Sequence, residues 1–235
     1  MLDRQRILII CCSNNELHTT VVKTFLKFLK AKCNVHVICV DNSCVMHLES
    51  AQDWLMQEIN LAKKVILFHS EESVAMAWHF TKSAITPSHS VSVKIFMMAL
   101  EMFSQSKVDQ FKLINVYFSF TPSNYVVDIN CGQTYQLMSE FDKFLTNVRG
   151  SSDFDSSSLL ISDEGLELHR AIIKAADYAE VHPHDTFNVF NFLPPDTDSI
   201  DTESLISRMA ADVGSNISDF GPMCSDTLLT SEAEV

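Results

Sequence analysis

A doubly wound α/β sandwich, in which helices cover both faces of a parallel sheet of about five strands, is predicted by three observations. Short apolar runs of strand length recur through the first 150 residues. Segments with apolar side chains at helical spacing separate them. The runs are continuous rather than alternating, as strands buried on both faces require.

The first strand is read at residues 6–12 (RILIICC). Asn14 or Asn15 then caps a helix in which Leu17, Val21, Val22, Phe25, Leu26, Phe28 and Leu29 recur at helical spacing. Lys23, Lys27, Lys30 and Lys32 fall between or after them, and Asn34 marks the stop. Residues 35–40 (VHVICV) give a second strand, and residues 48–63 a second helix with Trp54, Leu55, Ile59 and Ala62 on one face. The third strand, 65–68, closes at His69 and Ser70. An acidic turn at Glu71 and Glu72 leads into a helical candidate through Trp78 and Phe80, broken at Thr86-Pro87-Ser88. Residues 93–103 (VKIFMMALEMF) resume as a strongly apolar helix. Residues 112–120 (KLINVYFSF) are read as a fourth strand and 126–129 as a short fifth. A helix over 135–148 turns Leu137, Met138, Phe141, Phe144 and Leu145 inward. With right-handed crossovers these elements leave a flavodoxin-like topology.

A polar connector, 150–158 (GSSDFDSSS), precedes another amphipathic helix over 162–181, with Leu166, His169, Ile172, Ile173 and Ala176 along its stripe. Phe187, Val189, Phe190 and Phe192 follow, so this extension is expected to pack back onto the sandwich. From Pro194 to Val235 nine acids face Arg208 alone, and Lys, Trp and Tyr are absent. Such a tail buries too little apolar surface to offset its ordering entropy and is expected to be largely disordered. Leu205, Ile206, Met209 and Val213 are spaced like a short helical stripe within it, which reads equally as a transient helix or a docking peptide. The chain thus divides into a domain over 4–149, an extension over 150–193 and an acidic tail over 194–235.

At 235 residues and 46% hydrophobic content, the chain has room for one ordinary domain plus this tail. No apolar run approaches the roughly 20 residues that span a bilayer, and no basic segment leads into a cleavable apolar stretch, so no secretory leader is expected. A net charge of −13 repels phosphate backbones and disfavours nucleic acid as a partner. Seven cysteines, with Cys11 and Cys12 adjacent, make no plausible disulfide framework and fit the reduced cytosol.

The standard uses of such a sheet can be tested one by one. Phosphate-binding loops need glycine in the first strand-to-helix turn, so that backbone amides approach the ligand. Here that turn is Cys12-Ser13-Asn14-Asn15-Glu16, and no glycine precedes Gly132. A phosphoacceptor receiver needs an Asp after the third strand and an acidic pair after the first, but the chain offers His69-Ser70 and Cys12-Ser13. No G-x-S-x-G elbow is present. Cys11, Cys12, Cys33 and Cys39 lie in or beside apolar elements, where small thiols are common and inert. His182-Pro183-His184-Asp185 lacks a distant Cys pair at zinc spacing and reads as a polar turn. Trp54 reads as a core anchor, and Trp78 either as a core plug or as a partner-facing anchor.

Several of these segments together resemble a known family. R-I-L-I-I at 6–10, V-V-K-x-F-x-x-F-L at 21–29, W-L-x-x-E-I at 54–59 and K-V-I-L-F-H-S at 64–70 are similar to the opening half of the SEFIR domain. V-Y-F-S-F at 116–120 and Y-Q-L-M-S-E-F at 135–141 resemble its end in interleukin-17 receptors. G-L-E-L-H-R-A-I-I-K-A-A-D-Y at 165–178 resembles the helix that follows the domain in receptor-type members. The resemblance covers residues 4–192. It implies a TIR-like flavodoxin topology and a cytoplasmic signalling segment that works by SEFIR–SEFIR contact, with a SEFIR-containing adaptor and other interleukin-17 receptor-like chains as partners. From the missing motifs no cofactor and no metal are expected, and the resemblance implies membrane attachment only through an upstream segment not contained in this chain.

The same resemblance raises a catalytic question, because some TIR domains cleave NAD with a Glu in a W-C-x-x-E helix. Aligned on Trp78 this chain reads W-H-F-T-K, with Lys82 where that Glu would stand, and a cation there neither stabilises an oxocarbenium charge nor acts as a base. The reading is therefore an interaction module and not an enzyme, with Glu71, Glu72, Trp78, His79 and Lys82 as the partner-binding residues. An NAD-cleaving relative, in which Glu71 or Glu72 substitutes, and a non-signalling decoy whose tail carries sorting signals are the alternatives. The tail has no P-x-E-x-x-aromatic stretch for a ubiquitin-ligase adaptor, though its Ser and Thr residues in acidic surroundings are candidate phosphorylation sites.

Overall fold

The strands read at 6–12, 35–40, 65–68 and 112–120 all form in a computed structural model that describes residues 4–13, 15–40, 51–71, 73, 91–105, 107–127, 132–150 and 155–182. They are β1 (Gln5–Cys11), β2 (Val35–Cys39), β3 (Lys64–Phe68) and β4 (Leu113–Phe118), joined by β5 (Gln133–Leu137). All pairs are parallel and the order is β2-β1-β3-β4-β5, the flavodoxin-like arrangement. The register aligns Ile9, Ile66 and Ile114 in one row and Cys11, Phe68, Val116 and Tyr135 in another.

The helices are α1 (Glu16–Lys32), α2 (Ala51–Leu61), α3 (Val91–Ser104), α4 (Phe141–Arg149), α5 (Ser156–Leu160) and α6 (Asp163–Val181). Asn15 caps α1, its side-chain oxygen accepting from the N–H groups of Leu17 and His18 at 2.9 and 3.1 Å. Asn34 ends that helix in the left-handed region, φ 51°, which Asn tolerates better than most side chains. Gly150, at φ 72°, closes α4 by donating to the Thr146 carbonyl.

Alternate residues of each strand feed two cores. On one face Ile7, Ile9, Ile66, Phe68, Val116 and Phe118 pack with α1, α4 and α6; on the other Leu8, Ile10, Val65 and Leu67 pack with α2 and α3. The first core is aromatic. Phe25 meets Phe68 and Phe144 at 5.6 Å between ring centroids, and Phe118 stacks on Phe68 at 5.5 Å.

Three sequence expectations are corrected. The fifth strand is not at 126–129: Val126 follows a single 3₁₀ turn (Ser123–Tyr125), Val127 is not in a strand, and Asp128 and Ile129 lie outside the described residues. It is Gln133–Leu137, an edge strand whose exposed Gln133 and Thr134 break the apolar run that marks the buried strands. The last sandwich helix accordingly starts at Phe141 rather than at 135. The stripe of α6 is turned from the one predicted: Gly165, Leu168, Ile172 and Ala175 are buried, whereas Leu166, His169 and Ile173 are exposed. Gly165 allows this docking, because a Cβ there would stand 2.4 Å from the Leu160 carbonyl oxygen of α5. The connector itself contains α5, capped by the Asp155 side chain.

Candidate functional site

Sheets of this order hold ligands beyond the carboxyl ends of the strands where the order reverses, here between β1 and β3. The residues that end these strands turn their polar groups on one another. The Ser70 hydroxyl donates to the Cys12 carbonyl at 3.0 Å, bridging the switch point. Ser70 and Ser73 then close a reciprocal turn: the Ser73 N–H donates to Ser70 Oγ at 3.1 Å, the Ser70 N–H to Ser73 Oγ at 2.9 Å, and the Ser73 hydroxyl to the Ser70 carbonyl at 2.7 Å. All three residues of this stitch, Cys12, Ser70 and Ser73, are buried, and buried polar groups are costly unless paired in this way.

Two histidines stand behind it. His69 is fully buried; its Nε2 lies 3.1 Å from Asn115 Oδ1, and its Nδ1 accepts from the Val127 N–H at 3.4 Å. That pair of partners selects the neutral ring with the proton on Nε2. Burial holds its pKa down to about 4, against the pull of the Asn115 hydrogen bond. His18, 4% exposed on the buried side of α1, packs edge-on against Phe118 and Phe120 at 5.9 and 6.1 Å. Among the described residues its ring nitrogens have no partner at hydrogen-bonding geometry, and burial lowers its pKa to about 4 although the nearby His69 backbone favours the charged form. Neither ring is charged at neutral pH, so neither supplies a cation to an anionic ligand.

A pocket of about 40 Å³ remains over this end of the sheet, bordered by Ser13, Asn15, His18, Glu71 and Thr121 and roofed by Tyr178 of α6. As bounded by the described residues, it has room for water but not for a nucleotide. The roof is fixed by Leu168, Ile172 and Ala175 in the aromatic core and by ion pairs along α1, the exposed Lys27–Glu167 at 2.6 Å and the half-buried Lys32–Glu164 at 2.8 Å. The Asn15 side chain already serves the first free amides of α1, which an anion would otherwise use.

Of the five partner-binding residues read from the sequence, Glu71 borders this pocket, half-buried at the end of β3. Glu72, Trp78, His79 and Lys82 lie outside the described residues. Sequence reasoning passed over His18, yet its position carried a signal: 18, 22, 25 and 29 continue the buried stripe of α1. Cys12 and Cys33 are buried, and burial pushes the Cys33 thiol up to about 11, well away from the reactive thiolate. Trp54 packs against the aliphatic core. In the H-P-H-D stretch His182 stacks on Tyr178 at 4.3 Å, and the three residues after it lie outside the described ones.

The family model of the SEFIR domain matches residues 5–148, more than half of the chain. The chain belongs to the SEFIR family. No curated protein matches it. SEFIR domains are signalling modules of the TIR-like superfamily that associate with other SEFIR or TIR-like domains, and the parallel sheet described above is the fold expected of one. The matched span takes in the five strands and nearly all of α4 and leaves α5 and α6 beyond it. Among the described residues no helix is long and apolar enough to cross a membrane.

Proposed function

We propose that this SEFIR chain is the cytoplasmic signalling module of an interleukin-17 receptor-like protein, and that it recruits a SEFIR-containing adaptor by SEFIR–SEFIR contact. The observation that carries this reading is the state of the switch point. Its strand ends are stitched to each other through Ser70 and Cys12, and α6 roofs what remains. A domain whose customary ligand crevice is filled from within works through its outer faces. The recruiting surface is the region after β3, with Glu71, Glu72, Trp78, His79 and Lys82. Complementary charge there sets the choice of partner more than the strength of binding.

The test is reversal of charge at two of these positions, Glu72→Lys together with Lys82→Glu, in a pull-down against a SEFIR adaptor. Binding is expected to weaken while the melting temperature stays unchanged. Undiminished binding would place the interface elsewhere, and release of nicotinamide from NAD by the purified chain would replace the interaction reading with a catalytic one.

A further inference from the structure

The opposite end of the sheet displays the most exposed large apolar side chain among the described residues. Phe111, in the 3₁₀ turn before β4, is 90% exposed, and Leu61 at the end of α2 is 54% exposed. Scattered apolar side chains on a surface are ordinary, but this one is held in place. The Phe111 N–H donates to Asp109 Oδ1 at 3.0 Å, and its carbonyl accepts from Lys64 Nζ at 3.1 Å. Lys112 reaches back to the Asn60 and Ile59 carbonyls at 3.0 and 3.3 Å, supplying the cation that the last turn of α2 lacks. These bonds tie residues 59–64 to 109–112, so Leu61, Phe111, Lys63, Lys64, Lys107 and Lys112 share one end of the domain. Among the described residues the acids near them are engaged: Asp109 with the turn, Glu101 3.9 Å from Lys107, and Glu58 paired with Arg6 at 2.6 Å. Burial and then the like charge of Lys63 lower the pKa of Lys64, with Asp109 opposing; a further carboxylate would relieve that crowding.

We infer that this patch is the intramolecular docking site of the chain's own acidic segment, residues 196–213. The segment offers what the patch is missing. Asp196, Asp198, Asp201, Glu203 and Asp212 surround Leu205, Ile206, Met209 and Val213, whose spacing makes one apolar face when helical. Acid thus meets Lys63, Lys64 and Lys107, while the apolar stripe covers Phe111 and Leu61. The geometry allows it. The segment must travel back along α6, whose 19 residues span roughly 28 Å. The 23 residues from His182 to Leu205 extend to about 75 Å. An anionic membrane would also satisfy lysines beside an exposed ring, but the net charge of −13 opposes approach to such a surface. The tethered segment is present at high effective concentration.

The experiment uses the full chain and amide NMR shifts. Replacing the stripe (Leu205→Ser, Ile206→Ser and Met209→Ser) is expected to move amides of residues 59–64 and 107–113 and to leave those near the Ser70–Cys12 stitch in place. Phe111→Ser is expected to move amides of 200–213 in return. Both sets should shift again between about 0.1 and 1 M salt, as the screening length falls from about 10 to about 3 Å. Four outcomes overturn the inference. They are silence at either end of this reciprocal pair, shifts at Lys23 and Lys30 of α1 instead, shifts that scale with protein concentration and so report a second copy, and binding of phosphatidylserine-containing vesicles that depends on Phe111 but not on the stripe.

Discussion

The two ends of the sheet dispose of polarity in opposite ways. Past the carboxyl ends of β1 and β3, Cys12, His69, Ser70, Ser73 and Asn115 are buried, and their hydrogen-bonding groups are directed at one another. At the amino ends Phe111, Leu61, Lys63 and Lys107 stand exposed, while the half-buried Lys64 and Lys112 pin the backbone beneath them. In α/β sheets generally the first end holds the ligand and the second does not. Here the first end contributes cohesion, and the second keeps its exposed groups for contact with something else.

Breaking the buried end has the largest effect. Phe118 sits between Phe68 and Phe120, at 5.5 and 5.4 Å, with His18 on its edge. Phe118→Ala is expected to cost about 3–5 kcal/mol, read as a shift of the urea midpoint at constant slope. A loss below about 1 kcal/mol would mean that this end is loosely packed.

The pH dependence comes next. His18 and His69 have folded pKa values of about 4, below the ordinary 6.5 that both regain on unfolding. Between these values the unfolded chain binds more protons, so stability is complete above pH 6.5 and falls as pH drops toward 4. The fall is of order 3 kcal/mol for each ring at the lower limit. Denaturation midpoints measured across that window check it, and a flat profile would mean that the rings take up protons in the folded state.

Much of the fold was legible because the physics that selects it is local. Residues 7–12 and 65–68 are apolar throughout since both faces of their central strands are covered, residues 35–40 are apolar save for the exposed His36 of an edge strand, and Asn15 and Asn34 mark the limits of α1 by capping and by tolerance of positive φ. Legibility failed where covering is one-sided. Tyr135 and Leu137 of β5 point inward at period two, but together with Phe141, Phe144 and Leu145 they also fit a helical period, and only pairing with β4 separates the two. The extension helix is apolar on two sides, so which side turns in is decided by the Gly165–Leu160 contact rather than by composition. At the site, Ser70 and Cys12 lie 58 positions apart; nothing in either segment announces a bond that exists only once β1 and β3 are neighbours. Phe111 was hidden for the opposite reason: an apolar residue at the edge of an apolar strand reads as core.

The stitch itself gives a smaller effect than the ring stack. Ser70→Ala removes the hydroxyl donor to the buried Cys12 carbonyl and one of the two acceptors of the Ser73 N–H, leaving it the Ser70 carbonyl at 3.0 Å. A loss of about 1–3 kcal/mol is expected, with faster hydrogen exchange at the Ser73 amide. Unchanged exchange there would mean that the bridge does not hold the switch point shut.

Phe111→Ser should register little in stability, within about 0.5 kcal/mol, because its ring is 90% exposed on the domain, a docked acidic segment would make only a weak surface contact with it, and its turn is held by bonds to Asp109 and Lys64 that serine leaves intact. This is the sharpest test of the contrast, since a ring in the interior would cost several kcal/mol on removal. An unchanged urea midpoint for Phe111→Ser, beside a collapsed one for Phe118→Ala, separates an aromatic that makes the fold from one that the fold displays. A large loss at Phe111 would make both ends cohesive, and the ring would then belong to the packing of the domain rather than to a surface on which the acidic segment docks.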